Sequence, residues 1–483
     1  MIKTGQQHLE SIRDGRTVFL DGRAVEDVTT HPAFRNAAGT VGALYDFQAA
    51  NPELMTFEVP GTQRRANRAW ELPRSYAELV RRRKALTAWS ELHCGFMGRS
   101  PDHVASSVAA MAMGRDLFEE QGKGRGKAIW DYYEYARDRD LYLAYVIIDP
   151  QADRSKATGE QQDEFLTAAI CDEDSAGITV KGAKMLGTSA IFANEVLVAS
   201  LRPVREGDAK YAFTAAAPIG AKGLKLLSRK SYEAAAASRF DYPLASVFDE
   251  NDAIVYFDEV KIPWERVFVH RNPAMSLAQF HSTPAHSYQN YQAQIRLAVK
   301  LRYLAGLARR ICETIGTIDF PQVRDTLGLL AAKAGMIDAA VHAMEVNGKS
   351  YGPYFVPDRA TLYAAGALAQ QIYLEVVGAV RELAGGGVIM LPSSAHDFAN
   401  PEVAKLIGKT QLSANTDAHG RVKLFKLAWD SIGSEFASRH AQYEMFYSGA
   451  KHFTIANAYR TYDWAAAAAL VDGLMAQYDL PDP

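Results

Sequence analysis

Apolar positions along the chain fall into three textures. Up to about residue 140 they recur at helical spacing, broken by polar stretches. Ser75 to Glu91 (SYAELVRRRKALTAWSE) opens on a residue type that caps helix N-termini, then sets Leu79, Ala85, Leu86 and Trp89 on one helical face. From about 141 to 275, short β-rich runs alternate with Gly and Asn-Glu punctuation. Ile178 and Val180, then Val196 and Val198, stand two apart, as half-buried strands require. Several short strands without long helices between them predict an antiparallel sandwich or barrel, not a Rossmann unit. After about 276 long helices return. Val323, Leu327, Leu330, Ala334, Ile337, Val341 and Met344 alternate steps of four and three, a bundle seam. The block Arg359 to Leu383 continues helical, Gly385 to Gly387 closes a helix end, and a last helix is expected to turn Trp464, Val471, Leu474 and Tyr478 inward. The expected chain is mainly α with a central β domain: 1–140 helical, 141–275 β, and 276–483 a helical bundle.

Composition narrows the function classes. The 483 residues hold 53 Lys+Arg against 56 Asp+Glu, a net charge of −3, without the positive excess that nucleic-acid or polybasic membrane binding needs. Hydrophobic residues at 48% and charged residues at 23% are ordinary for a folded protein. Cys94, Cys171 and Cys312 are too widely spaced for a disulfide framework or a paired zinc motif, and a reducing cytoplasm is expected. The N-terminus lacks the apolar core of a signal peptide, and no unbroken run approaches the ~18 apolar residues of a membrane span. GKGRGK at Gly122 to Lys127 imitates a phosphate loop, but no strand precedes it, so it reads as a turn. HExxH, CxxC, GxSxG and GxxxxGK[ST] are absent, which lowers zinc, serine-hydrolase and P-loop chemistry; no metal site is expected.

Four long blocks go further. VTTHPAFRNAAGTVGALYD from Val28, CGFMGRSPD from Cys94, FDYPLASVFDENDAIVYFDEVKIPWERV from Phe240 and GSEFASRHAQYEMFYSG from Gly433 resemble the 4-hydroxyphenylacetate 3-monooxygenase family, with IRLAVKL from Ile295 and LPSSAHD from Leu391 adding to the match. The resemblance runs in order from about residue 10 to 480. It implies an acyl-CoA-dehydrogenase-like fold, a homotetramer, and the oxygenase component of a two-component flavin-dependent aromatic monooxygenase. Such an enzyme takes FADH2 from an NAD(P)H:flavin reductase and, with O2, hydroxylates a small phenolic or other electron-rich aromatic substrate through a flavin C4a-hydroperoxide. That chemistry demands a closed pocket, a cation or strong donor at the developing phenolate, and a proton donor near the peroxide.

The resemblance carries over residue by residue. Arg99 in MGRSPD matches the family arginine near the flavin and the phenolic oxygen; a fixed planar charge suits an oxyanion, against the plain alternative of a surface salt bridge. The family has a Tyr four residues after this Arg and a His at the start of the β domain. Here those positions are His103 and Tyr145, the two residue types exchanged. Either the pair keeps its catalytic roles with donors traded, or the substrate differs; packed spectators are the bland third reading. For the cofactor, Tyr145, Val146, Ile147, Ile148, Gln151, Ala152, Asp153 and Arg154 match the loop entering the β domain, Thr188 the threonine beside the isoalloxazine, and Ser448, Gly449, Ala450 and Lys451 an FAD-contacting turn. Ser200 and Leu201 fall where the family covers the substrate's far end with two hydroxyl residues. Leu201 breaks that pattern and points to a more apolar tail. His286, with His281 as rival, lies where related hydroxylases keep a phenol base. Oxygenative loss of a nitro or halogen group uses the same attack. The other classes weighed are a 4-hydroxybutyryl-CoA dehydratase-like lyase, whose CxxxC ligand set this chain lacks, and a fold relative without catalysis.

Overall fold

The computed structural model describes residues 2–150, 152–201 and 204–479. Several of its helices begin where the chain supplies a capping side chain or a proline. The Ser75 hydroxyl accepts from the Glu78 N–H and opens Tyr76–Leu92, which buries Leu79, Ala85, Leu86 and Trp89 as their spacing required. Pro101–Met113 starts on a proline whose missing N–H costs nothing at the first helical position. Every residue of that helix is buried, and its small Ala and Ser side chains let it run through the middle of the molecule.

Two sheets form the β domain. One has six strands, in the order Arg23–Val25, Thr17–Leu20, Leu224–Ser228, Asp252–Pro263, Gly177–Thr188, Ala169–Asp174. The other has four: Val267–Val269, Thr214–Pro218, Glu195–Ala199, Leu143–Val146. Pairing is mostly antiparallel, as expected, with two parallel exceptions. Leu143–Val146 runs parallel to Glu195–Ala199, and Thr17–Leu20 runs parallel to Leu224–Ser228. The N-terminal stretch read as helical therefore also contributes two strands to the larger sheet. Val196 and Val198 are not half-buried either. Every residue of Glu195–Ala199 is buried, because Val196 and Val198 face the six-stranded sheet while Leu197 and Ala199 face the helices. The smaller sheet is thus the middle layer of three, and its helix-facing side carries the chemistry below.

The C-terminal part packs Ala285–Ile315, Pro321–Val346 and Arg359–Ala384 side by side. Leu330, Ile337, Val341 and Met344 are buried on the predicted seam, with Val323, Leu327 and Ala334 half-buried. Pro321–Val346 is by length and mean hydropathy long and apolar enough to cross a membrane. Lys333 and Asp338 interrupt its apolar runs, so a search for unbroken stretches passes over it. Its far side exposes Leu329, Met336 and Val346. One expectation fails at the end of the chain: Trp464, Val471, Leu474 and Tyr478 are each more than half exposed, as is Leu470 at 80%. Trp464–Met475 has an apolar face, but none of the described residues covers it.

Candidate active site

Arg99 sits in the turn between Tyr76–Leu92 and Pro101–Met113, and contacts from four directions fix that turn. The Arg99 N–H donates to Glu250 Oε2 (2.9 Å), and the Tyr142 hydroxyl donates to the Arg99 carbonyl (2.5 Å). The Tyr447 hydroxyl donates to the Gly98 carbonyl (2.7 Å) and lies 2.9 Å from Gln292 Oε1. Gly98 has no room for a side chain: a Cβ would stand 2.5 Å from the Tyr443 ring. The guanidinium is boxed by aromatic faces, 4.3 Å from the Tyr447 ring centroid, 5.0 Å from Tyr145 and 5.7 Å from Tyr443.

The exchanged pair does meet. His103, one helical turn after Arg99, accepts from Arg99 Nη1 at Nε2, and its ring lies 5.3 Å from that of Tyr145. Burial, reinforced by Arg99 and Arg296, drives the His103 pKa well below its ordinary value, so the imidazole is neutral. Gln289 reaches His103 from Ala285–Ile315 at 3.4 Å.

Thr188 ends the long strand Gly177–Thr188, and its hydroxyl donates to Asp252 Oδ1 (2.6 Å). Asp252 also accepts from Arg439, Nη2 to Oδ1 at 2.6 Å and Nε to Oδ2 at 2.9 Å, and from Arg229 Nε (2.9 Å). Arg439 Nη1 continues to Glu250 Oε1 (2.8 Å), the carboxylate that holds the Arg99 amide. One buried guanidinium therefore ties Thr188 to the Arg99 turn.

The other expected residues divide. Tyr145, Ile147 and Leu201 pack half-buried against the same hydrophobic cluster on the helix side of the smaller sheet. Ile148 is half-buried, and its carbonyl accepts from the Met185 N–H (2.8 Å). Val146 points the opposite way, into the core between the sheets, so only its backbone can face this region. Ala152, Asp153 and Arg154 are exposed, and Asp153 spends its carboxylate on the N–H and hydroxyl of Ser155 (3.0 and 2.6 Å). Gln151 lies outside the described residues. Ser448, Gly449 and Ala450 form a half-buried turn ahead of Lys451–Thr461, which Lys451 opens. Gly449 is left-handed at φ 103°, and a side chain there would meet nothing within 4 Å, so the turn borders open space. Gln370 holds it by donating to the Gly449 carbonyl (2.6 Å).

Ser200 donates its single hydroxyl proton to the Tyr211 carbonyl (2.5 Å) and lies 3.4 Å from Lys184 Nζ, which pairs with Asp149 (2.6 Å). His286 is set apart. It bonds the Tyr363 hydroxyl (3.0 Å) and stacks on His281 at 4.7 Å, with its pKa lowered to about 3 by burial, His281 and Arg359. It stands three residues before Gln289, so it approaches His103 only through that neighbouring turn. The surface cavities of about 430 and 500 Å³ lie elsewhere, beside Arg125 and Trp264 and beside Gly5 and Asp46. In the first, the turn at Gly122 to Lys127 offers no phosphate cradle, because Glu119 accepts from the Gly124 and Gly126 N–H groups (2.8 and 3.1 Å).

Sequence reasoning missed the residues that pin the site: Glu250, Asp252, Arg439, Tyr443 and Tyr447. A signal existed. Arg439, Tyr443 and Tyr447 are spaced by four, one stripe on Glu435–Phe446 and its continuation, and FDEND puts three acids opposite. What the arrangement offers is a buried cation, a neutral imidazole and a phenol meeting on an apolar wall, able to bind and polarise an aromatic oxyanion.

Comparison with known proteins agrees over the whole length. The family profile described as 4-hydroxyphenylacetate 3-hydroxylase N terminal matches residues 4–269, and its C-terminal counterpart matches residues 277–476. The 4-hydroxyphenylacetate 3-monooxygenase oxygenase component of Geobacillus sp. is 34% identical over 92% of this chain and 91% of its own. The pyoverdin chromophore biosynthetic protein PvcC of Pseudomonas aeruginosa is 35% identical over 99% of this chain and 96% of its own. Among solved structures, the oxygenase component of 4-hydroxyphenylacetate 3-monooxygenase complexed with FAD and 4-hydroxyphenylacetate superposes with a TM-score of 0.93 at 30% identity, covering 98% of both chains. The Arg99 turn and the Thr188 strand thus sit in a chain that belongs to the 4-hydroxyphenylacetate 3-hydroxylase family.

Proposed function

We propose that the protein is the oxygenase component of a two-component, FADH2-dependent aromatic monooxygenase acting on a phenol. The observation that carries this reading is the meeting of Arg99, His103 and Tyr145 on the helix-facing side of the smaller sheet, tied through Glu250, Arg439 and Asp252 to Thr188. The residues present fit a flavin. The half-buried wall of Tyr145 and Ile147 suits a planar ring, and the Gly449 turn offers backbone beside open space. Thr188, backbone of 145–150 and 152–154 and the turn 448–451 would hold it, and when bound it supplies the activation of dioxygen. The chain's own part is to exclude water, to seat the phenol oxygen against Arg99, and to place His103 and Tyr145 within hydrogen-bond reach of it. Those placements raise the electron density of the ring toward electrophilic attack.

The far end of the pocket favours a tail without a carboxylate. Leu201 has no donor, the Ser200 proton is taken by Tyr211, and the Lys184 charge is matched by Asp149. We read the chain as acting in the cytoplasm beside a separate NAD(P)H:flavin reductase, with parts 1–140, 141–275 and 276–483. The uncovered apolar faces of Trp464–Met475 and Pro321–Val346 support a homotetramer joined through the last part. The test is to load the purified protein with FADH2 anaerobically, admit oxygen with a panel of neutral-tailed and carboxylate-tailed phenols, and measure hydroxylated product against hydrogen peroxide. Product from the neutral-tailed set supports the reading. Peroxide alone with every phenol overturns it.

A further inference from the structure

We infer that Asp252 is a positioning residue that fixes the direction of the Thr188 hydroxyl, making it a hydrogen-bond acceptor toward the site. This rests on the flavin reading above and deepens it. Each oxygen of Asp252 faces cationic donors: Oδ1 faces Arg439 Nη2 at 2.6 Å, and Oδ2 faces Arg439 Nε and Arg229 Nε, both at 2.9 Å. A carboxylate gripped this way is ionised and carries no proton. Burial alone would raise its pKa, but Arg439 and Arg229 override that and hold it far below the usual range. The Thr188 hydroxyl, 2.6 Å from Oδ1, must then be the donor in that bond. A threonine hydroxyl has one proton and two lone pairs, so only lone pairs remain for any other partner.

The consequence is selectivity between flavin redox states. Reduced flavin bears hydrogen on N5 and is a donor there; oxidised flavin presents a lone pair at N5 and is an acceptor. Set against N5, where the flavin reading puts it beside the isoalloxazine, Thr188 as locked by Asp252 would complement the first and oppose the second. Asp252→Asn has a defined effect. The amide nitrogen cannot take the Oδ2 position, where two guanidinium N–H groups point at it. The Oδ1 position faces only one, from Arg439 Nη2, so the nitrogen goes there at the loss of that bond, and Thr188 can turn round and accept. The threonine proton is then released toward the site.

The experiment compares dissociation constants for FAD and, anaerobically, FADH2 on the full-length protein, read as the ratio Kd(FAD)/Kd(FADH2). Thr188→Val is expected to lower this ratio about tenfold, the worth of one net hydrogen bond. Thr188→Ser is expected to keep it, and Asp252→Asn to lower it at least as far as Thr188→Val. Circular dichroism matching the parent checks folding. If Asp252→Asn does not fold, the sign of the Thr188→Val effect still decides: a rise would mean that Thr188 donates to oxidised flavin, and the inference falls. It falls equally if Thr188→Val leaves the ratio unchanged, or if Asp252→Asn folds and keeps the parent ratio. Should the unaltered protein bind neither flavin, the flavin reading itself fails first, a result separate from any variant.

Discussion

Glu444→Gln is the sharpest test of what holds the Arg99 turn. Glu444 accepts from Arg296 through both terminal nitrogens (2.7 Å each) and from Lys300 (2.9 Å), all three side chains being almost fully buried. Arg296 in turn donates to the Gly95 carbonyl (2.8 Å) and underlies the Tyr447 ring at 4.6 Å. Burial would raise the Glu444 carboxyl, but Arg296 and Lys300 bring it from 4.5 down to about 2. That depression corresponds to roughly 3 kcal/mol, in line with the ~3–5 kcal/mol lost when one partner of a buried ion pair is removed. The sign follows from the lowered folded value. The contribution is whole above pH 4.5 and drains away as pH falls from there toward 2. Lys300, lowered from 10.5 to about 8 chiefly by burial, acts at the other end, where stability rises between pH 8 and 10.5 as the folded state sheds its proton first. Hydrogen exchange at pH 7 in Ala285–Ile315 and Glu435–Phe446 should quicken on the order of a hundredfold in Glu444→Gln. The urea midpoints of parent and variant should draw together as pH falls below 4.5 and meet only near pH 2. Exchange less than threefold faster, or a midpoint gap as wide near pH 2 as at pH 7, would refute the argument.

Other outcomes follow from the same contacts. Gly98→Ala should push Tyr443 off Arg99, costing about 1–3 kcal/mol in a chemical melt and raising KM for the phenol; an unchanged KM would show that the Tyr443 face is idle. His103→Ala should divert oxygen to hydrogen peroxide while flavin binding holds, read by an oxygen electrode with product assay, and tight coupling in the variant would clear His103 of any role. Tyr145→Phe should leave flavin affinity unchanged and slow product formation by roughly 10²-fold if its hydroxyl serves as proton donor. If the proposed homotetramer uses this face, charges placed at Leu470 and Leu474, both more than half exposed in the single chain, should reduce the mass seen by light scattering, whereas an unchanged mass would count against that interface.

Much of the fold was legible because periodicity is a local signal. The Ser75 cap and the seam from Leu330 to Met344 are properties of one helix and its burial. Parallel pairing of Thr17–Leu20 with Leu224–Ser228 joins segments some two hundred residues apart, and no local pattern announces it. Trp464 to Tyr478 show the converse. Their apolar stripe is real, but a stripe does not say what covers it, and none of the described residues does. At the site, long motif blocks pointed to Arg99, Thr188 and the Gly449 turn. Asp252 and Arg439 escaped notice because a buried ion network is defined by which distant charges meet, and each of them alone reads as a solvated residue.

The exchange of His103 and Tyr145 has a physical meaning that their identities alone do not disclose. A neutral imidazole beside a phenol suggests a base waiting for a proton. Yet the Arg99 guanidinium already occupies His103 Nε2, and burial with Arg99 and Arg296 has lowered the imidazole's affinity for protons well below normal. A phenol of ordinary pKa near 10 cannot favourably pass its proton to such a group. Of the causes that disarm His103 as a base, burial opposes a phenolate too, as it does at Tyr447, while the Arg99 and Arg296 charges favour one. Under the proposed function, ionisation of the substrate then falls to Arg99 with Arg296 behind it, and His103 is expected to aim the guanidinium as a neutral partner. The pH dependence of kcat/KM should then lack a limb at the ordinary histidine value. Arg99→Lys, which keeps charge but loses the planar fork, should cost more in turnover than His103→Gln, which keeps a neutral hydrogen-bonding group at the same place.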